Sequence, residues 1–244
     1  MPCLINPRRE KGEPLLNGPV LFYINPAEAN WAQHRAQETG GRRHFLFNSN
    51  LWEVSGPKGR SLAVCGPALG APAAVLSLEK LIALGGRQFI ICGTCGSLNS
   101  RLKIGDVLLP TGARSAEGTS NHYPLSTPPV PAPSLLNILH GFLKAENIAW
   151  HNGRLWTTDA PYRETSDKVR DCQESDIYGV DMEFSALLTV AAFRGVELAA
   201  IMVVSDQLDE NNCWQSGFKS PVFKQKMNTI RQGLFNCLRQ NENE

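Results

Sequence analysis

The chain has 244 residues, of which 42% are hydrophobic and 19% are charged, and its formal net charge is +1. This length and composition are typical of one large globular domain with a real core. The balanced charge argues against a nucleic-acid-binding or membrane-surface protein, and no segment approaches the ~20 apolar residues of a membrane span. The N-terminus is polar and shows no signal peptide, so we expect a cytoplasmic protein.

The pattern along the chain predicts a flexible N-terminal arm, residues 1–17, followed by one domain, residues 18–244. Beyond the arm, short apolar runs alternate with longer helical patterns, as in β-α units that build a largely parallel sheet. The predicted strands are Val20–Ile24, His44–Phe47, Ser61–Cys65, Gln88–Cys92, Asp106–Pro110, Trp150–Thr157 and Leu198–Val204.

The clearest predicted helix begins near Pro72, a residue suited to a first helical turn, and ends before Gly85-Gly86. Between this helix and the next lies Pro124–Pro133, whose five prolines predict an irregular loop. The other predicted helices are Ser134–Glu146, Glu183–Arg194 and Val222–Arg239.

Seven cysteines in a chain without a secretion signal predict reduced thiols. Cys92 and Cys95 form a C-x-x-C motif, but it ends an apolar run and does not open a helix, as a redox motif would. No second pair stands at metal-ligand spacing, so the motif favours neither redox chemistry nor a metal site.

The residues that follow the predicted strands carry the functional signal, because ligands of open α/β sheets bind beyond the carboxyl ends of the strands. One strand leads into the glycine-containing loop Gly66–Gly70 and then into a helix, whose N-terminus favours an anion. The loop matches neither a Walker sequence nor G-x-G-x-x-G. A phosphate-binding loop and a plain strand–helix turn are both compatible with this segment alone.

Three further strand ends carry polar or glycine-rich sequences: Gly93-Thr94-Cys95-Gly96, Val180-Asp181-Met182-Glu183 before a helix, and Ser205-Asp206. Each sequence by itself is weak evidence for a function. The informative feature is the order in which the sequences follow one another along the chain. In this succession the chain resembles the nucleoside phosphorylase family, which includes uridine phosphorylase, bacterial purine nucleoside phosphorylase and the methylthioadenosine nucleosidases. The resemblance covers roughly residues 60 to 206 and a first strand at residues 20–24.

The resemblance implies a single α/β domain with a mixed, largely parallel central sheet flanked by helices. It also implies a homo-oligomer, either a dimer or a trimer of dimers, that acts on a nucleoside. Inorganic phosphate would be the co-substrate, with no other cofactor and no metal. Family members commonly complete each active site with a side chain from a neighbouring subunit.

The resemblance also assigns roles to individual residues. Glu183 and Asp206 would be catalytic, Glu183 at the ribose and Asp206 at the base. The implied substrate-binding residues are Gly70 and Thr94 beside phosphate, Met182 at the ribose, and Gly96, Asp181, Tyr162, Arg163 and Ser205 elsewhere in the site.

Two of these roles have a clear chemical reason and a simpler alternative. Glycosidic cleavage develops positive charge on the pentose, which a carboxylate such as Glu183 stabilises; alternatively, Glu183 only complements its helix dipole. Asp206, if protonated, could donate to the departing base as a general acid; alternatively, it only caps the loop after its strand.

The chain departs from the family at its phosphate-binding arginines. Ile91, Glu28 and Asn48 fall at or near the expected positions, and Arg35, Arg42 or Arg43 are possible substitutes. Losing guanidinium contacts weakens phosphate binding, which favours water as the nucleophile.

Substrate identity is open as well, because Asp181 stands where uridine phosphorylase has glutamate and Pro161 stands where an aromatic residue is expected. The sequence therefore predicts a purine or uridine nucleoside phosphorylase. The alternatives are a nucleosidase and a catalytically silent ligand-binding relative.

Overall fold

The computed structural model describes residues 3–56, 61–208 and 213–240 and shows one α/β domain. Its strands are β1 Val20–Tyr23, β2 Arg42–Leu46, β3 Ser49–Ser55, β4 Ser61–Gly66, β5 Gln88–Ser97, β6 Val107–Ala116, β7 His151–Thr158, β8 Ile177–Asp181, β9 Glu197–Leu208 and β10 Trp214–Ser216. Its helices are α1 Pro26–Glu38, α2 Ala71–Ala83, α3 Pro133–Ala145, α4 Ser166–Glu174, α5 Phe184–Arg194 and α6 Pro221–Gln240.

The strands form one mixed sheet in the order β10-β9-β6-β7-β8-β5-β1-β4-β3-β2. Its middle, β4-β1-β5-β9, is parallel as predicted, whereas β2-β3-β4 and β9-β10 are antiparallel. β5 pairs with both β8 and β9, so β5, β9, β6, β7 and β8 close into a ring. This closure brings strands that are distant in sequence to one place.

Helices cover both faces of the sheet, each over its own apolar core. Alternate residues of β1 point to opposite faces, with Phe22 in one core and Leu21 in the other. Residues of α2 and α5 belong to the first core, and residues of α1, α3 and α6 belong to the second. The predicted α/β architecture is thus confirmed.

Two strands extend further than their sequence patterns predict. β5 continues to Ser97 and β9 continues to Leu208, so Thr94 and Asp206 lie inside strands and not in loops after them. The reason is that the two strands pair along their whole length, with Gly96 opposite Asp206. Local apolar patterns do not reveal such pairing, because glycine and polar residues can occupy a strand when a partner supplies its hydrogen bonds.

The N-terminal residues 3–17 contain no helix or strand but contact the domain. The backbone N–H of Leu16 donates to the carbonyl of Leu84 at 2.8 Å, and Lys80 pairs with Glu13 at 2.6 Å. The division into a flexible arm and a domain stays a prediction. Among the helices of the described residues, none has the length and apolar character needed to cross a bilayer.

Candidate functional site

Glu183 and Gly70 meet although 113 residues separate them. Gly70 lies between β4 and α2 with a φ of 88°, a conformation that favours glycine. Its backbone N–H donates to Oε1 of Glu183 at 2.5 Å. Glu183 itself lies just before the first residue of α5 and is buried. The structure thus joins the predicted ribose side of the site to the loop of the predicted anion side.

Asp181 holds the backbone around Glu183. One of its oxygens accepts from the hydroxyl of Thr157 at 2.6 Å. The other accepts from the backbone N–H groups of Glu183 and Phe184 at 3.1 and 2.7 Å. Asp181 is therefore occupied by protein groups, and its role in this arrangement is to cap α5 and orient Glu183. Met182, between the two carboxyl groups, is half-buried.

The two carboxyl groups affect each other's protonation. Burial raises the pKa of Glu183, and the nearby charge of Asp181 raises it further. Burial also raises the pKa of Asp181, although the hydrogen bonds from Thr157 and from two backbone amides oppose this. Because Asp181 has these three donors, the proton that the pair retains resides on Glu183. A bound sugar whose hydroxyl groups donate hydrogen bonds to Glu183 would instead stabilise the ionised form of this carboxyl group.

The predicted anion side lies where two helices begin. The hydroxyl of Thr94 donates to Oδ1 of Asn25 at 3.5 Å, and Asn25 immediately precedes α1. The loop that leads to α2 is tied to the same place, since the N–H of Ala68 donates to the carbonyl of Ile24 at 3.1 Å. The N-termini of both helices therefore meet near Thr94 and Gly70, which favours a negative charge there.

The positions expected to carry arginine do not supply a cation to this side. Ile91 is fully buried in the core of α2 and α5. Glu28 is buried on α1, and burial raises the pKa of its carboxyl group. Asn48 packs against α2, where its amide donates to the carbonyl of Ala73 at 2.9 Å.

The possible substitute arginines make contacts elsewhere. Arg35 pairs with Glu38 on α1 at 3.2 Å, and Arg43 donates to Asn50 across the β2–β3 hairpin. Arg42, on the same edge hairpin, is exposed. These guanidinium groups are therefore not part of the Thr94–Gly70 arrangement.

Asp206, predicted to face the base, lies next to Gly96. A Cβ atom at Gly96 would stand 2.8 Å from Oδ2 of Asp206, so a larger side chain there would displace this carboxyl group. The hydroxyl of Ser205 donates to Oδ1 at 2.6 Å, and the indole N–H of Trp214 donates to Oδ2 at 2.9 Å. The pairing of β10 with β9 brings Trp214 to Asp206.

The loop after β7 presents one residue that the sequence did not single out. Tyr162 is 100% exposed and Arg163 is exposed, so neither lines a pocket in this structure. Glu164, in the same loop, is half-buried. Burial raises its pKa to about 7, and the charge of Asp206 contributes to this increase. No local signal in the sequence distinguishes Glu164 from its exposed neighbours.

Cys92 and Cys95 lie within β5, and both are buried. Burial raises the pKa of each thiol, so neither is a reactive thiolate. The C-x-x-C motif is consequently part of the packed strand.

A separate cavity of about 1130 Å³ lies against α2 and the β2–β3 hairpin. Asn48 and His122 line it, whereas Gly70, Thr94, Glu183 and Asp206 do not. Several exposed apolar side chains surround it: Ile5, Phe45, Phe47, Leu76 and Phe193.

The fold agrees with comparisons to known proteins. The model of the Phosphorylase superfamily matches residues 28–234, and the chain therefore belongs to the phosphorylase superfamily.

Among curated relatives, the chain is similar to a guanosine phosphorylase of Halorubrum lacusprofundi, with 32% identity over 63% of this chain and 64% of that protein. A purine nucleoside phosphorylase of Clostridium novyi is 29% identical over 62% of this chain and 66% of its own length. A uridine phosphorylase of Haemophilus influenzae is 27% identical over 59% of this chain and 63% of that protein. The chain thus spans slightly less than two thirds of the length of these relatives.

A solved structure supports the fold assignment. The purine nucleoside phosphorylase of Toxoplasma gondii, in complex with immucillin-H, superposes with a TM-score of 0.78 at 22% identity, covering 92% of this chain and 91% of that one. At this level of sequence identity, the structural similarity shows that the two chains share a fold.

Proposed function

We propose that this protein cleaves the N-glycosidic bond of a purine or uridine-type nucleoside and transfers the pentose to phosphate. The observation that carries the proposal is the contact between Glu183 and the N–H of Gly70, which joins a carboxyl group to a helix N-terminus. The relatives named as guanosine, purine nucleoside and uridine phosphorylases support the same reaction class.

In the proposed reaction, Glu183 binds the pentose. Hydroxyl groups of the sugar donate to its carboxylate, and the negative charge stabilises the cationic sugar that forms as the bond to the base breaks. The first turns of α1 and α2, next to Thr94 and Gly70, supply the positive dipole ends for the attacking anion. Asp206 and the loop of Tyr162 and Arg163 lie on the base side.

A second candidate is hydrolysis, with water replacing phosphate. The positions occupied by Ile91, Glu28 and Asn48 favour it, because none of them carries a cation. Each charge-assisted hydrogen bond from arginine contributes about 1.5–3 kcal/mol. Helix N-termini alone bind a phosphate dianion more weakly, whereas water needs no such compensation.

The test is to incubate the protein with guanosine, inosine, adenosine and uridine, each with and without phosphate. Base release only with phosphate, together with pentose 1-phosphate, supports the phosphorylase. Release of base and free pentose without phosphate supports the nucleosidase. Glu183→Gln serves as the matched control, since it should stop either reaction. Ligand-dependent thermal stabilisation without any base release would replace both proposals by a binding function.

We further propose a homo-oligomer in which a second copy covers the exposed apolar side chains around the cavity beside Asn48. These exposed apolar side chains line one cavity together with Asn48. By the resemblance to the family, the arginine that a neighbouring subunit lends to the active site falls near Asn48. Phe45→Glu combined with Phe47→Glu should shift the mass measured by light scattering to that of a monomer. An unchanged mass, or a monomeric wild type, would contradict this assembly.

A cytoplasmic location is part of the same proposal. Four of the cysteines, Cys65, Cys92, Cys95 and Cys172, are buried as reduced thiols. Reduced thiols of this kind suit a reducing compartment. Fractionation of cells that express the protein checks this directly.

A further inference from the structure

Glu117 is a buried carboxyl group directly after β6, and the proposed reaction gives it no task. Its Oε1 accepts hydrogen bonds from the hydroxyls of Ser115, Ser120 and Ser185. Its Oε2 accepts from the backbone N–H groups of Thr119 and Ser120 at 2.6 and 3.0 Å. Burial acts to raise the pKa of Glu117, but these hydrogen bonds outweigh it and hold the pKa below its ordinary value. Glu117 is therefore ionised at neutral pH, and a buried charge with this many donors holds the groups around it rigidly.

These groups include α5, the helix that Glu183 immediately precedes. The hydroxyl of Ser185 donates to Glu117 at 3.0 Å. The hydroxyl of Thr189, one turn further along α5, lies 3.3 Å from that of Ser120. Residues four apart lie on the same face of a helix. The turn that contains Glu117 and Ser120 therefore contacts one face of α5 at two successive helical turns.

These polar contacts fix α5 in a way that its apolar contacts do not. Apart from the two hydroxyl residues and Arg194, α5 consists of apolar residues, and burial of apolar surface is non-directional. A hydrogen bond, in contrast, has a preferred distance and angle. The backbone N–H of Ser185 also donates to Thr157 at 3.0 Å, so Ser185 is held through its side chain and its backbone. Ser185 lies two residues after Glu183, and its hydrogen bonds therefore set the place from which Glu183 reaches Gly70.

We propose that Glu117 is a positioning residue, which holds α5 through Ser185 so that the carboxyl group of Glu183 stands at the N–H of Gly70. This inference rests on the proposed function, in which Glu183 binds the pentose. Glu117 contacts the helix and acts on the reaction only through it. Because reacting groups must be held closely, a displacement of about 1 Å can lower turnover by roughly 10²-fold.

Two serine substitutions form a matched pair that tests this role. Ser185→Ala and Ser115→Ala each remove one hydroxyl that donates to Oε1 of Glu117, at 3.0 and 2.8 Å. Of the two serines, Ser185 belongs to α5 and Ser115 to β6. In steady-state kinetics, Ser185→Ala should lower kcat by ~10- to 10²-fold for every nucleoside that the wild type cleaves, whereas Ser115→Ala should stay within about twofold of the wild type. Glu117→Gln should lower kcat at least as much as Ser185→Ala.

The backbone amide of Gly70 gives a readout that needs no substrate. Its proton is bonded to Oε1 of Glu183, so its NMR chemical shift depends on where that carboxyl group lies. The shift should change in Ser185→Ala and in Glu117→Gln, and it should keep its wild-type value in Ser115→Ala. Spectra recorded well below the thermal midpoint of each variant separate this effect from a general loss of stability.

Glu197→Gln is the control for the loss of a hydrogen-bonded carboxylate elsewhere in the fold. Glu197 is the first residue of β9 and accepts from Ser134 and Gln88 at 2.6 and 2.8 Å. This variant should lose stability but keep the wild-type kcat and the wild-type Gly70 shift.

Other outcomes separate this inference from the proposed function. If Ser185→Ala and Ser115→Ala behave alike in both measurements, Glu117 does not position Glu183, although glycosidic cleavage stands. The same conclusion follows if Glu117→Gln loses stability but keeps the wild-type kcat and Gly70 shift. If the wild type releases no base from any nucleoside, the proposed function fails. A Gly70 shift that moves only in Ser185→Ala and Glu117→Gln would in that case still show that Glu117 holds Glu183 in place.

Discussion

The proposed ribose side and the proposed base side of the candidate site are built differently. On the proposed ribose side, Asp181 and Glu183 are buried, and the chain's own hydroxyl and amide groups hold them. On the proposed base side, Asp206 accepts a hydrogen bond from Trp214, a residue that is 64% exposed. The first region is part of the core, and the second lies close to the surface.

This difference indicates which properties each region controls. A rigid, buried carboxyl group beside a helix N-terminus suits a task shared by all substrates, the stabilisation of a charged sugar. An exposed loop can change with the base and can close over it when it binds. Substitutions on the ribose side should therefore act alike on every nucleoside, whereas those on the base side should depend on the leaving group.

The largest expected effect comes from Glu183→Gln. Loss of the negative charge at the sugar should lower kcat by at least ~10²–10³-fold for every nucleoside that the wild type cleaves. The amide can still accept the hydrogen bond from Gly70, so the thermal midpoint should be nearly unchanged at about pH 5, where the wild-type carboxyl group is protonated. Steady-state kinetics on purine and uridine substrates, together with calorimetry, check both statements. Retained activity with a large loss of stability would make Glu183 a purely structural residue.

Asp181→Ala should mainly destabilise the fold. It leaves the hydroxyl of Thr157 and two backbone N–H groups without their acceptor, at a cost of about 2–4 kcal/mol in the free energy of unfolding. Denaturant unfolding measures this cost. Asp167→Ala, an exposed carboxyl on α4, is the control and should change stability by less than ~0.5 kcal/mol. Similar values for both variants would show that Asp181 does not hold this junction.

Gly96→Ala tests the base side. The added methyl group would meet Asp206 and Val180, so we expect a loss of about 1–3 kcal/mol in stability and reduced turnover. Gly141→Ala on α3, where a Cβ meets nothing within 4 Å, should instead stabilise the protein by ~0.5–1 kcal/mol. Thermal unfolding of both variants tests these predictions. If Gly96→Ala leaves the stability unchanged, the strand can move away from Asp206.

The smallest expected effect is a pH dependence of stability. In the folded state the pKa of Glu183 is raised to about 8, so the fold favours its protonated form. The resulting stabilisation is complete below the ordinary pKa and is lost as the pH rises through the raised value. Glu183→Gln has no such titration, so its thermal midpoint should exceed that of the wild type increasingly between about pH 5 and pH 8 and by a constant amount above this range. A constant difference across this range would mean that Glu183 is ionised throughout.

The sequence by itself determined the α/β class and indicated several candidate functional residues. The alternation of apolar runs and helical patterns predicted the layers, because 3.6-residue and two-residue periodicities report them directly. The succession of glycine-rich and acidic strand ends indicated Gly70, Thr94, Glu183 and Asp206 through its resemblance to a known family.

Only the tertiary structure decided how the strand ends meet. Pairing of β5 with both β8 and β9 sets Gly96 against Asp206. Such pairings depend on the closure of long loops and on the register of distant strands, which no local pattern records. The same reason explains why Trp214, unremarkable in sequence, lies next to Asp206.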